Sequence, residues 1–359
     1  MRNEIRGAID ALAESGRAGR DGLKALIALK DQDETSYLRS RAAEASEKVF
    51  SRAVYLRGLI EFTNYCKNDC LYCGIRRSNA ACDRYRLTAD QIVGCADQGY
   101  ELGFRTIVLQ GGEDMTFSRD DICRIVSRMK ENHPDAAVTL SVGERDRESY
   151  KAWFDAGADR YLLREETGNA ELYKKLHPAA QTWENRIRCL YDLKDIGYQV
   201  GCGFMVGAPY QTADDIVDEL EFYIGFRPHM IGIGPFIPHK DTPFAGMPAG
   251  TADMTLNLIS ILRLMFPDAL LPATTALGTI SPRGREDGIL AGANVVMPNL
   301  SPGTVRDDYL LYDGKICTGD DASACVGCMG MRMKNIGYEM EVGRGDSPRM
   351  AIRTFEAEA

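Results

Sequence analysis

The chain is 359 residues long, 45% hydrophobic and 26% charged, with a net charge of −9. That is a globular composition with material for a large core, and the negative balance argues against a nucleic-acid partner, since the basic clusters Arg76–Arg77 and Lys174–Lys175 are short. No apolar run reaches bilayer length and the N-terminus lacks the apolar core of a signal peptide, so the expectation is a soluble, cytoplasmic protein without membrane contact.

In chain order, residues 1 to about 50 read as helical, rich in Ala, Leu, Glu, Lys and Arg. Eight candidate strands follow: YLRGLIEF (55–62), RTIVLQG (105–111), AAVTLSV (136–142), RYLLREE (160–166), YQVGCGFMV (198–206), MIGIGPFI (230–237), LPATTAL (271–277) and ANVVMP (293–298). Helical patterns occupy 88–103, 118–132, 148–157, 183–197, 212–225 and 251–265, with Thr88, Ser118, Thr212 and Thr251 as N-caps. Strand–helix alternation predicts a parallel sheet with crossover helices. Eight units over about 250 residues predict an α/β fold, a TIM-type (β/α)8 barrel. The expected organisation is an N-terminal helical segment (1–50), the barrel (51–300) and a C-terminal extension with cysteines (301–359). GCGFMVG (201–207) is no dinucleotide fingerprint: its glycines lie within a strand.

There are eleven cysteines. Cys82, Cys95, Cys123, Cys189 and Cys202 are scattered and read mostly as small buried hydrophobes. Cys66, Cys70 and Cys73 form C-x3-C-x2-C directly after the first strand, in the kind of loop where barrel active sites lie. Structural zinc wants four closed ligands, and no fourth lies near; an odd number and a reducing compartment disfavour disulfides. A 4Fe–4S cluster held by three thiolates keeps one iron open. Gln110-Gly111-Gly112-Glu113 ends the second strand, and glycines there allow close backbone approach, although alone the stretch is an ordinary turn. Arg164 and Glu166 share one face of the fourth strand. A charged pair at a barrel mouth is costly unless it binds something; the alternative is that both point to solvent. Arg186 is a candidate partner for a carboxylate. Cys317, Cys325 and Cys328 make a second triplet, read first as an auxiliary iron–sulfur cluster, with a zinc site or a free thiol pair as alternatives.

The motif C-x3-C-x-aromatic-C, with Tyr72 as the aromatic, resembles the signature of radical S-adenosylmethionine (SAM) enzymes. The resemblance implies that the open iron binds the amino and carboxylate groups of SAM. Reduction then releases methionine and a 5′-deoxyadenosyl radical. It also implies that Tyr72 packs near the adenine, that Gln110, Gly111 and Gly112 approach the methionine end, and that Ser141, Arg164, Glu166 and Arg186 complete the cofactor pocket. More narrowly, EFTNYCKNDCLYCGIRR (61–77), RYRLT (84–88), TIVLQGGED (106–114), DRYLLREETGN (159–169), GIGPFIPHKDTP (232–243), PATTALGTISPRGRE (272–286), GANVVMPN (292–299) and the cysteine-rich tail resemble the HydE family of FeFe-hydrogenase maturases. That resemblance implies a role in building the two-iron subcluster of the H-cluster. The radical would attack the sulfur of an iron-bound cysteine supplied by HydG, the product would pass to the scaffold HydF, and a reductant protein would supply electrons. It implies a second cluster of 4Fe–4S or 2Fe–2S type, absent in some members. Met230, Thr274, Thr275, Met297 and Tyr309 match positions that line the family's internal cavity or its anion site; as bare residues they read as barrel filling. Gly111 stands where relatives can carry a small polar residue. Methylornithine synthase (PylB), a lysine mutase, shares the barrel and first triplet, but the second triplet and PATTALGTI argue against it; biotin synthase is more distant. A non-catalytic iron–sulfur scaffold would give no reason for the glycine turn or the Arg164/Glu166 pair.

Overall fold

The computed structural model describes residues 1–319 and 322–350; residues 320–321 and 351–359 of the expected C-terminal extension lie outside them. Three helices open the chain: α1 (Asn3–Ser15), α2 (Arg20–Ile27) and α3 (Gln32–Phe50). Then come β1 (Ala53–Leu56), β2 (Gly58–Thr63), α4 (Ala89–Glu101), β3 (Thr106–Gly111), α5 (Arg119–Asn132), β4 (Ala137–Ser141), α6 (Arg147–Asp155), β5 (Arg160–Leu162), α7 (Ala170–Leu176), α8 (Trp183–Ile196), β6 (Gln199–Cys202) and β7 (Met205–Val206). The remainder is α9 (Ala213–Phe226), β8 (Met230–Ile231), β9 (Gly234–Pro235), α10 (Ala252–Met265), α11 (Thr275–Ile280), α12 (Gly284–Leu290), β10 (Val295–Val296), α13 (Gly303–Arg306), α14 (Ala322–Asn335) and β11 (Glu339–Glu341).

The helix starts follow from the sequence. Thr88, Ser118, Thr212 and Thr251 each accept a hydrogen bond from a backbone N–H in the first helical turn, and the first three close full capping boxes. Each such cap is worth about 1 kcal/mol. In α5 the buried residues Ile122, Ile125, Val126 and Met129 keep the i, i+3, i+4, i+7 spacing of a face laid on a sheet. The strands are buried on both faces, as parallel strands under helices must be: Thr106 to Leu109 and Ala137 to Leu140 are all buried.

The parallel ladder has six strands in the order β2-β3-β4-β5-β6-β8, not the expected eight. Beyond it, single parallel bridges link Met230 to Leu270, Pro272 to Val295 and Leu59 to Asn299. The run 55–62 is two strands, split at Arg57; β1 pairs with β10 and β11 in a separate sheet. The runs 198–206 and 230–237 are each broken into two short strands. The run 271–277 is overturned in its second half: Thr274 caps helix α11, accepting from the Leu277 N–H, so local capping wins over the β-rich composition.

The tail packs against the N-terminal ends of the strands. Arg344 bonds Asp159 at 2.9 Å, Asp346 bonds Arg160 at 2.6 Å, and Thr106 donates to the Arg344 carbonyl at 2.7 Å. The opposite, C-terminal ends are open to loops. That is the end where parallel α/β sheets carry their chemistry.

Candidate functional site

The loop after β2 carries Cys66, Cys70 and Cys73 to the wall of a cavity of about 290 Å³. Arg84 holds this loop by donating to four of its carbonyls, those of Asn64, Ile75, Arg76 and Asn79. Asn64 in turn donates to the carbonyls of Asp83 and Asp308 at 2.6 and 2.7 Å. The glycine turn after β3 lies directly against the loop. A Cβ on Gly112 would stand 2.2 Å from the Tyr65 carbonyl oxygen and 2.9 Å from the Cys66 Cβ. Only glycine permits that approach. The Glu113 N–H then reaches Cys66 Sγ at 3.4 Å.

The expected cofactor residues largely converge. Tyr72, Gln110, Gly111, Gly112, Ser141, Arg164, Glu166 and Arg186 all line the same cavity as the three thiols, as do Thr274 and Tyr309. Arg164 donates to Glu166 at 3.1 Å, so the pair on the cavity wall is closed on itself. Glu166 takes a positive φ of 69°, a left-handed conformation that a non-glycine residue holds only where its surroundings impose it. Arg186 is buried rather than exposed, and its carboxylate partners are protein side chains, Glu144 at 2.6 Å and Glu113 at 3.6 Å. It also donates to the Arg164 carbonyl. Glu113 packs over Gly143, whose φ of +78° and missing Cβ leave room for it.

Several participants carried no distinct sequence signal. Gln181 accepts from the Cys70 thiol at 3.2 Å. The Tyr72 hydroxyl meets His177 Nε2 at 3.0 Å. His177 Nδ1 faces the Tyr173 carbonyl at 3.0 Å, and a carbonyl only accepts, so Nδ1 carries the proton and Nε2 accepts from Tyr72. Below the cavity, Lys315 of the tail pairs with Glu61 at 2.7 Å and donates to the Tyr309 carbonyl.

Three thiols on one wall suit an iron–sulfur cluster, in which each, once deprotonated, would take a separate iron. No other cysteine and no histidine is among the described residues lining the cavity. Nor do any three His, Cys, Asp or Glu side chains among the described residues converge as ligands to a single ion. Burial pushes the Cys70 thiol well up and the Cys73 thiol up to about 12. Without a metal these sulfurs hold their protons, and a cluster held by the sulfurs would take the protons' place. Two buried donors in the cavity wall, Arg164 Nε and Gln181 Nε2, have no protein acceptor and would serve a bound group.

The remaining expected residues do not join this cavity. Met230 lines a separate space of about 10 Å³ with Arg57 and Arg160. Thr275 and Met297 line another of about 20 Å³, together with Glu61, Arg285, Cys317 and Cys325. Thr275 faces away because α11 begins there. Arg285 donates to Cys317 Sγ at 3.4 Å. Cys325 is buried on α14, whereas Cys328, less than one turn later, is exposed and lies outside that space.

Residues 60–223 match the radical SAM superfamily profile. The chain is 46% identical over 310 residues to the [FeFe] hydrogenase maturase subunit HydE of Thermotoga maritima, covering 86% of this chain and 88% of that one. It is 29% identical over 309 residues to 3-methylornithine synthase of Methanosarcina barkeri, covering 85% and 86%. The crystal structure of methylornithine synthase (PylB) superposes with a TM-score of 0.79 at 25% identity, covering 93% of this chain and 97% of that one.

Proposed function

The chain belongs to the HydE family of the radical SAM enzymes, and we propose that it acts in FeFe-hydrogenase maturation, with Cys66, Cys70 and Cys73 holding a 4Fe–4S cluster and the cavity beside them holding SAM. The observation that carries this is the placement of three thiols and the Gly111–Gly112 turn on one cavity with no further cysteine or histidine among its described lining. When bound, the cluster supplies the electron that splits the SAM sulfonium into methionine and a 5′-deoxyadenosyl radical. The protein's part is to bind, orient and keep dry. Gly112 lets backbone close on the cluster loop, and the Arg164–Glu166 pair offers a cation and an anion to a zwitterionic amino-acid end without changing the buried charge. Arg186, pinned by Glu144, holds the Arg164 carbonyl and thereby the strand end that carries the pair. Tyr72, fixed by His177, offers a ring face to an adenine.

The apolar part of the wall, with Leu162, Met205 and Ile237 beside Thr274 and Tyr309, would enclose the substrate. We read that substrate as an iron-bound cysteine made by HydG, with product delivery to the scaffold HydF and electrons from a reductant protein, in the cytoplasm. No described helix is long and apolar enough to cross a membrane. The three bridges beyond the six-stranded ladder support a (β/α)8 barrel between a helical segment (1–50) and the extension from 301. Cys317 and Cys325 on one small cavity, with Cys328 exposed three residues along the same helix as Cys325, support a second metal centre.

The test is anaerobic reconstitution, dithionite reduction and assay for 5′-deoxyadenosine, followed by in-vitro hydrogenase maturation with and without the protein. Lysine turnover is the control for the mutase alternative. A protein that carries its cluster and yields no 5′-deoxyadenosine ends the radical reading; lysine turnover without maturation ends the maturase reading.

A further inference from the structure

The last residue of α7 and the turn that follows it grip three consecutive residues of the cysteine loop. Gln181 meets Cys70 Sγ at 3.2 Å, the Leu176 carbonyl accepts from the Leu71 N–H at 3.0 Å, and His177 accepts from the Tyr72 hydroxyl at 3.0 Å. Gln181 is buried, and its own N–H bonds the Pro178 carbonyl at 2.9 Å, so its side chain springs from a fixed turn. Its amide nitrogen, also buried, has no hydrogen-bond partner.

We propose that Gln181 donates an N–H hydrogen bond to the Cys70 sulfur in the cluster-loaded protein and thereby raises the cluster's reduction potential; this rests on the reading of Cys66, Cys70 and Cys73 as the ligands. As a thiol, Cys70 donates to Gln181 Oε1. As an iron ligand it has lost that proton and can only accept. A carbonyl oxygen facing a thiolate sets two acceptors against each other. Rotation about the terminal torsion exchanges oxygen and nitrogen, and that torsion is broad and roughly two-fold. The exchange breaks no other bond, because the nitrogen has no partner to lose. An N–H on a ligating sulfur stabilises the reduced, more negative cluster more than the oxidised one, so the potential rises. Gln181 is thus a positioning and tuning residue that acts through Cys70.

Wild type, Gln181→Met and Gln181→Glu are reconstituted anaerobically, iron is counted, and the cluster's reduced EPR signal is titrated against potential without SAM. The Met substitution fills the space with no donor, and the Glu substitution puts an anion there. Both midpoints are expected below wild type, with Gln181→Glu giving the lower of the two. Equal midpoints in all three at full iron content overturn the proposal. If the variants do not retain iron, wild type carrying side-chain 15N-glutamine decides: pulsed EPR of the reduced cluster should show a 15N coupling, and its absence overturns the proposal. Gln110, the other glutamine among the described residues lining the cavity, turns its amide nitrogen to Tyr309 at 3.4 Å. A wild-type protein that assembles no cluster overturns the ligand reading, and the proposal with it.

Discussion

Gly112→Ala should damage the site far more than Gly111→Ala, although the two residues are adjacent. The added Cβ at 112 would meet the Tyr65 carbonyl oxygen at 2.2 Å, the Tyr65 carbonyl carbon at 2.8 Å and the Cys66 Cβ at 2.9 Å. An ordinary C···O contact is about 3.3 Å, so the strands of backbone must part by about 1 Å. The first two obstructing atoms are main chain and cannot rotate away; moving them moves Cys66. Overpacking of this kind costs about 1–3 kcal/mol. A 1 Å misplacement of reacting groups can cost about 10²-fold in rate. At 111 the nearest atoms are side-chain ones, Thr63 Cγ2 at 2.8 Å and the Phe62 ring at 3.3 Å, which can give. The assay is iron per chain, urea unfolding and the rate of 5′-deoxyadenosine formation for both variants. Gly112→Ala is expected to lose about 2 kcal/mol and roughly two decades of rate, and Gly111→Ala less than one decade. Wild-type rate in Gly112→Ala, or equal losses in both, would refute the argument from close approach.

Cys70→Ala should abolish 5′-deoxyadenosine formation and Cys325→Ala should leave most of it; equal loss would put the second triplet in the catalytic path. Arg186→Met leaves Glu144 without a cation in the interior, while Glu113 keeps Lys67 at 3.2 Å, so the unfolding free energy should fall by about 3 kcal/mol, and unchanged urea unfolding would refute the pairing. Burial, with Arg186 nearby, pushes the His177 imidazole down to about 3. Its folded pKa lies below the unfolded value of about 6.5, so its contribution to stability is complete above that pH and is lost as pH falls toward 3. From pH 7 to 5 the wild type should lose roughly 2 kcal/mol from this group. The loss should be missing in His177→Gln; parallel pH profiles for the two proteins would show that the ring titrates normally.

Helix starts were legible in the sequence because capping is local: a Thr or Ser and the residue three positions on decide it. The first triplet was legible for the same reason, its spacing lying within one loop. What escaped depends on distant chain segments. Arg84 reads as one more basic residue until the fold brings the Asn64, Ile75, Arg76 and Asn79 carbonyls around it. Arg186 reads as a partner for a carboxylate, but which one shows only when Glu144, 42 positions away, is found against it. The β-rich composition of 271–277 misled because Thr274 serves a helix start as readily as a strand, and only packing decides between them. Gln181 and His177 lay on a turn with no periodicity to mark it.

Unpartnered buried polar atoms are not by themselves the mark of a site, and this fold shows why. Arg57 Nε, Arg160 Nε and Thr139 Oγ1 lack partners near the N-terminal strand ends, as Arg164 Nε and Gln181 Nε2 do at the other end. Volume separates the two cases. The space among Arg57, Arg160 and Thr139 is about 10 Å³, which is one water's worth. The cavity under the cysteine loop is about 290 Å³, close to the lower range for small-molecule pockets. Asp346 and the Gly345 carbonyl already meet the guanidinium groups of Arg160 and Arg57, so the lower end is a sealed joint between the tail and the sheet. At the mouth the thiols, the glycine turn and the free donors face the same large space. Their convergence on a volume that can admit a ligand, rather than any one of those features, is what distinguishes chemistry from structure here.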